Sequence, residues 1–133
     1  MKIFIDTNIF LDVILDRKYV KASTLILNSC HQKIFDACLA DITLLNIDYI
    51  ASKQTKNIRD FLKVINQSFS VVGANNSIFD LAFQIQNNDF EDTVQYVCAI
   101  REKCKVIVSN DKKFYRGDLE VLTSLEFISK YIH

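Results

Sequence analysis

Met-Lys-Ile-Phe-Ile-Asp-Thr-Asn-Ile-Phe, residues 1–10, is the stretch whose reading decides the fold. Residues 2 to 5 read as a buried strand. Asp6-Thr7-Asn8 is a polar turn, and residues 8 to 15 read as a short helix entered through Thr7 or Asn8 as N-cap. The same grammar returns near the other end of the chain, where the β-branched run Val106-Ile107-Val108 runs into Ser109-Asn110-Asp111.

Between these two strands the chain alternates. Tyr19 to Cys30 read as a second helix with Ala22, Leu25 and Ile26 on one side, and Ile34 to Leu39 as a strand. Asp41 reads as the N-cap of a helix carrying Ile42, Leu45, Asn46, Tyr49 and Ile50 on one face, which sets Asn46 inside an apolar stripe. Ile58, Phe61, Leu62 and Ile65 have amphipathic spacing, and Ile78, Leu81, Ala82 and Ile85 repeat it around a short strand at Ser68 to Val72. Glu91 to Lys103 read as a helix with acids in its first turn and Lys103 in its last, and residues 124 to 131 as a closing helix. Strands alternating with helices predict an α/β fold, a three-layer α/β/α sandwich around a mostly parallel sheet.

Composition sets the bounds. The chain has 133 residues, half of them hydrophobic, with no proline and two glycines, so residues 1–133 read as a single domain without a flexible linker or a glycine-rich phosphate loop. Sixteen basic and sixteen acidic side chains cancel, so attraction to a polyanion must come from local patches. Cys30, Cys38, Cys98 and Cys104 form no CxxC pair, and only His31 and His133 could join them around zinc. Buried thiols in a reducing cytoplasm are the simpler reading. No apolar run has the length of a signal peptide core or a membrane span, so a cytoplasmic protein without a membrane partner is expected.

The acids are distributed in a pattern. Asp6 and Asp111 follow apolar strands, and right-handed crossovers bring parallel strand ends to one edge of a sheet, where such folds hold their ligands. Carboxylates gathered there repel unless a divalent cation lies between them. Oxygen ligands without usable thiols or histidines select Mg²⁺ or Mn²⁺, which are held by few carboxylates together with phosphate oxygens. Lys112, Lys113 and Arg116 directly after Asp111, and Lys53, Lys56 and Arg59 after the Asn46 helix, could hold phosphates on either side of such a site. Tyr49 and Tyr115 offer stacking faces for an unpaired base.

Each feature has a plainer reading. Asp6 can be a turn residue, Asn46 a satisfied core amide, the lysines solvated surface charge and the tyrosines core. Asp89, Glu91 and Asp92 can serve only to cap a helix and complement its dipole. Three acids exceed what capping needs, which leaves Asp92, ahead of Thr93 and Val94, free to face the sheet.

Asp6-Thr7-Asn8, Asp89-Phe90-Glu91-Asp92-Thr93 and Ser109-Asn110-Asp111-Lys112-Lys113-Phe114, in this order, resemble the three motifs of PIN domains, and of the VapC-type toxin ribonucleases in particular. The resemblance spans nearly the whole chain. It implies a metal-dependent endoribonuclease that hydrolyses single-stranded or loop RNA, with Asp6, Asp92 and Asp111 as metal-binding carboxylates and Asp89 as a nearby extra acid. It further implies that Ser109 lines the site, that Asn8 orders the first turn, and that an antitoxin and a second copy of the chain are the partners. One departure stands out. Where many PIN domains carry a glutamate on the third helix, in a stretch like Ser-x-Ile-Thr-Leu-x-Glu-Ile, this chain reads Asp41-Ile42-Thr43-Leu44-Leu45-Asn46-Ile47. A neutral amide there removes one negative charge, so the alternative reading is a catalytically weak or inactive PIN-like module that binds RNA or a protein. A phosphatase of the haloacid dehalogenase type is a poorer match, because two Asp residues separated by one are absent at Asp6.

Overall fold

The computed structural model describes residues 1–132, and His133 lies outside the described residues. Five strands, β1 (Lys2–Ile5), β2 (Asp36–Ala40), β3 (Ser70–Val72), β4 (Val106–Val108) and β5 (Glu120–Leu122), form one sheet in the order β3-β2-β1-β4-β5. Every pairing is parallel, so the mostly parallel sheet read from sequence is parallel throughout. Seven helices complete the described chain: α1 (Thr7–Ile14), α2 (Val20–His31), α3 (Asp41–Ala51), α4 (Ile58–Ser68), α5 (Asn76–Phe83), α6 (Phe90–Arg101) and α7 (Ser124–Tyr131).

Period-two alternation along the strands sorts the core into two layers. Ile3, Ile5, Ala37, Leu39, Val106 and Val108 face one side, against Ile9, Phe10, Ile26, Ile47, Ile58, Ile65 and Phe127 of α1, α2, α3, α4 and α7. Phe4, Cys38, Ala40 and Ile107 face the other, against Ile78, Ala82, Val94 and Val97 of α5 and α6. All four cysteines are free and buried. Among the described residues no helix is long and apolar enough to cross a membrane.

The chain steps outward from β1 through β2 to β3 and then returns to the opposite side of β1 with β4. β1 and β4 therefore flank the topological switch point, where open α/β sheets leave a crevice beyond their strand ends. Asp6 extends the β1 ladder by donating its amide to Val108 O at 3.0 Å, and Ser109 extends β4 by donating to Leu122 O at 2.9 Å. Continuing the alternation from Phe4, the Asp6 side chain turns toward α6.

Several local expectations differ from the structure. The N-cap of α1 is Asp6, not Thr7 or Asn8, and its side chain makes no capping bond. The carboxylate instead accepts from Ser109 and Gln95 across the sheet edge. Ala40, not Asp41, caps α3, and Asp41 accepts from the amides of Ile42 and Ala74. The inner face of α3 is Thr43, Ile47 and Ala51, while Leu45 and Tyr49 are 71% and 67% exposed, so Asn46 sits at the rim of the buried face instead of inside an apolar stripe. On α2 the inner face is Ser23, Ile26 and Cys30, with Leu25 exposed. β2 starts at Asp36 and β3 at Ser70, two residues later than read in each case. α6 ends with Arg101 in its last turn, and Lys103 lies beyond it with φ 59°, closing the helix in the left-handed region. β5 was not anticipated. It is three residues long with only Val121 fully buried, too short to show a period.

Gly117 marks a tight approach in the connection between β4 and β5. A Cβ there would run into the hydroxyl and ring of Tyr96, which accepts a hydrogen bond from the Asp118 amide at 2.7 Å. Gly117→Ala is expected to destabilise the fold by about 1–3 kcal/mol, measured as a lower urea midpoint with unchanged m-value.

Candidate functional site

A cleft of about 280 Å³ opens at the carboxyl edge of the sheet, and Asp6, Asn8, Asn46, Asp89, Asp92 and Asp111 all line it. Glu91 lines it too, which the sequence reading assigned to capping alone. Asp6 comes from the end of β1, Asn8 from the first turn of α1, Asp111 from the turn after β4, Asn46 from the outer rim of α3, and Asp89, Glu91 and Asp92 from the N-cap and first turn of α6.

Asp6 is the most tightly held of these acids. Only 2% exposed, it accepts from Ser109 Oγ at 2.7 Å through Oδ2 and from Gln95 Nε2 at 3.0 Å through Oδ1. Ser109 is itself fixed, since its hydroxyl accepts from the Asp111 amide at 3.1 Å. One hydroxyl thus couples the ends of β1 and β4. Burial pushes the Asp6 carboxyl up to about 6 against these two hydrogen bonds, with Glu91 adding repulsion.

Asp92 is 6% exposed, and its Oδ2 is a buried acceptor without a hydrogen-bond partner. Its carboxyl is pushed up to about 8, first by burial and then by Asp6, Asp89, Asp111 and Glu91. Asp89 takes the structural role that its position suggested: Oδ1 caps α6 by accepting from the Asp92 amide at 3.1 Å. Asn46 Nδ2 donates to Glu91 Oε1 across the gap between α3 and α6. Gln95, fully buried and also missed in the sequence, donates to Asp6 and at 3.5 Å to Glu91 Oε2. A glutamine one turn after Glu91 and Asp92 on the same helix face was the available signal.

Among the described residues no three Asp, Glu, His or Cys side chains are already drawn together as a metal cage. The chemistry of the lining nonetheless fits a hard cation. A buried carboxylate oxygen lacks a donor, two carboxyls are forced toward their protonated forms, and every potential ligand is oxygen. Mg²⁺ needs only one or two protein carboxylates.

The basic residues stand outside this cleft. Asn8 and Asp111 also line an adjoining hollow whose wall includes Arg17, Lys18 and Tyr19. Tyr19 and Asn110 connect that hollow to a third, lined by Lys112 and Arg116. Lys113 is exposed and lines none of the three. Arg17 and Lys18 follow Asp16, whose φ of 51° turns the chain sharply between α1 and α2. That turn carried no signal in the sequence beyond its charges. Asn110 anchors the region: it donates to the buried Asp12 at 2.7 Å and accepts from the amide and hydroxyl of Ser124 at 2.8 and 2.9 Å. Tyr49 is at the cleft rim with Lys53 Nζ 4.4 Å from its ring centroid. Tyr115 instead packs edge-on against Tyr96, at 4.8 Å between centroids, and offers no free face comparable to Tyr49.

The profile of the PIN domain matches residues 2–113. The chain is 31% identical over 138 aligned positions to Ribonuclease VapC1 of Aquifex aeolicus (strain VF5), an alignment that covers 98% of this chain and 95% of the relative. The chain belongs to the PIN-domain family. Two solved structures with the same fold are a toxin-antitoxin complex from Klebsiella pneumoniae and VapBC2 from Rickettsia felis bound to a DNA fragment from its promoter. The first has a TM-score of 0.70 at 17% identity, covering 91% of this chain and 96% of that one. The second has 0.67 at 19%, covering 92% and 98%.

Both raised carboxyls lie above their ordinary value of 3.8, so the folded chain keeps protons that the unfolded chain releases. Their contribution to stability is complete below about pH 4 and is lost as pH rises through the folded values near 6 and 8. In EDTA, the melting temperature between pH 5 and 9 should therefore fall with rising pH, and Asp92→Asn should flatten the upper part of that decline. A wild-type profile that is flat or rises over this range would contradict the assignment.

Proposed function

We propose that the protein is a Mg²⁺- or Mn²⁺-dependent endoribonuclease acting on single-stranded or loop RNA, the toxin of a toxin-antitoxin pair. The observation that carries this reading is the buried pair of carboxyls Asp6 and Asp92, the second pushed up in part by the first, at the switch point of a PIN-domain chain. The similarity to a named ribonuclease over nearly its whole length supports the chemistry.

Asp6, Asp92 and Asp111 would hold the cation. When bound, it supplies Lewis acidity that makes water a nucleophile near neutral pH and offsets charge building up on the phosphate. The chain's own groups do the rest. Ser109 and Gln95 fix both oxygens of Asp6, so the carboxylate presents one orientation. Burial among like charges pushes the Asp92 carboxyl up to about 8, and a bound cation would offset that repulsion. Asp89 holds the amide of Asp92 in place through its cap.

Lys112 and Arg116 together with Arg17 and Lys18 line hollows that run on from the acidic cleft, and they would hold phosphates flanking the scissile one; Lys113 would add charge from outside them. Tyr49, with Lys53 over one face and 67% exposed, would stack an unpaired base on the other side of the acids. Bases must be unstacked to reach such a face, which favours single strands and loops over duplex.

The similarity to solved toxin-antitoxin complexes supports an antitoxin as protein partner, and a homodimer is expected from the same family resemblance. Action in the cytoplasm belongs to this reading. The neutral amide of Asn46 favours a second reading, an inactive module that binds RNA.

Asp6→Asn and Asp92→Asn are each expected to reduce cleavage of a mixed RNA substrate to the level of the protein-free control while retaining the wild-type circular dichroism spectrum. EDTA should do the same to the wild type, and Mn²⁺ should restore it. Cleavage that survives all three treatments would overturn the enzyme reading. RNA binding without cleavage by the wild type would establish the second.

A further inference from the structure

We propose that Glu91 is a fourth carboxylate ligand of the cation site, delivered from the first turn of α6 and aimed by the amide of Asn46 on α3. This rests on the metal-dependent reading above and deepens it.

Position alone assigns Glu91 nothing, since an acid in the first turn of a helix is favoured by the macrodipole in any protein. Three features of the structure go beyond that. Asp89 already caps α6, so the backbone amides do not need Glu91. The Glu91 carboxylate is not turned to solvent as an exposed dipole partner would be. It is half-buried, with Oε1 accepting from Asn46 Nδ2 and Oε2 facing Gln95 Nε2 at 3.5 Å. Gln95 Nε2 is also the donor to Asp6 Oδ1, so one amide spans both carboxylates. Finally, Asp92, only 6% exposed, lines the same cleft, and its buried Oδ2 has no donor.

Two neutral amides therefore orient the negative Glu91 toward the cleft but do not neutralise it. A half-buried carboxylate held by neutral donors alone keeps part of its desolvation cost, which a cation would offset.

The arrangement also explains why position 46 carries an amide. A carboxylate on α3 at this point would meet Glu91 as a like charge, whereas an amide donates to it. The two positions hold one negative charge between them, and that charge resides on α6. The plainer alternative is that Asn46 and Glu91 are only a clasp between two helices. Glu91→Gln separates these, because an amide can keep a hydrogen bond to Asn46 yet is a poor ligand for Mg²⁺ or Mn²⁺.

The test is Mn²⁺ titration by calorimetry, with the Mn²⁺-induced rise in melting temperature as a second readout. Wild type, Asp6→Asn, Glu91→Gln and the exchange Asn46→Glu/Glu91→Gln are compared. Glu91→Gln is expected to fold and to lose at least about tenfold in Mn²⁺ affinity. The exchange, which returns the carboxylate to α3, should recover most of it. Glu91→Asp, a second variant that keeps the charge with a shorter reach, should fall between. If Glu91→Gln binds Mn²⁺ as the wild type does while Asp6→Asn does not, Glu91 is only a clasp and the proposal fails alone. If the wild type itself binds no Mn²⁺, the metal-dependent reading fails and this proposal with it.

Discussion

The carboxylate of Asp6 is buried at the end of the central strand, and the rest of the candidate site is arranged around the cost of keeping it there. A charge that is 2% exposed must have donors or a counter-ion. Ser109 and Gln95 supply the donors, from the end of β4 and from the inner face of α6. Those two bonds fix where β4 ends relative to β1 and how α6 sits over the sheet edge. They do not cancel burial, which still holds the Asp6 carboxyl up at about 6. Asp92, deprived even of a donor on Oδ2, is displaced further.

A second polar tie fixes the outer side of the cleft. Asn110 joins Asp12 of α1 to Ser124 at the start of α7, and Asp12 is reached at 3.5 Å by Ser23 of α2. The turn carrying Asp111 is thereby anchored to three helices on the same face of the sheet. Stability and function share residues here: the groups that satisfy one another in the fold are those that decide where Asp111, Arg17 and Lys18 stand. The Asn46–Glu91 bond has the corresponding place on the inner side, joining α3 to α6 over the edge that separates the two core layers.

Much of this was legible in the chain. A strand that runs into Asp-Thr-Asn and a second that runs into Ser-Asn-Asp are enough to predict parallel strands whose acids meet at one edge, because crossover handedness leaves little choice. Asp92 as the free acid of its cluster was also readable, since one cap needs one acceptor, and Asp89 proves to be it. What escaped the sequence has particular causes. Glu91 was masked by a sufficient local explanation at a helix start. The spacing of Leu45 and Tyr49 reads as core and puts Asn46 in an apolar stripe, whereas the helix turns them outward and buries Thr43 and Ile47 instead. β5 has three residues and no period, and Arg17 and Lys18 reach the hollow beside the cleft through a left-handed turn at Asp16 that periodicity cannot see.

Anomalous diffraction from crystals soaked in Mn²⁺ tests the central claim most directly, since it asks where the cation goes without depending on substrate or assay. A peak against the carboxylates of Asp6, Asp92 and Asp111, absent in Asp6→Asn, is the result expected. Mn²⁺ bound only at other sites on the protein, or a peak at this cleft that persists when Asp6 is neutralised, would contradict the account.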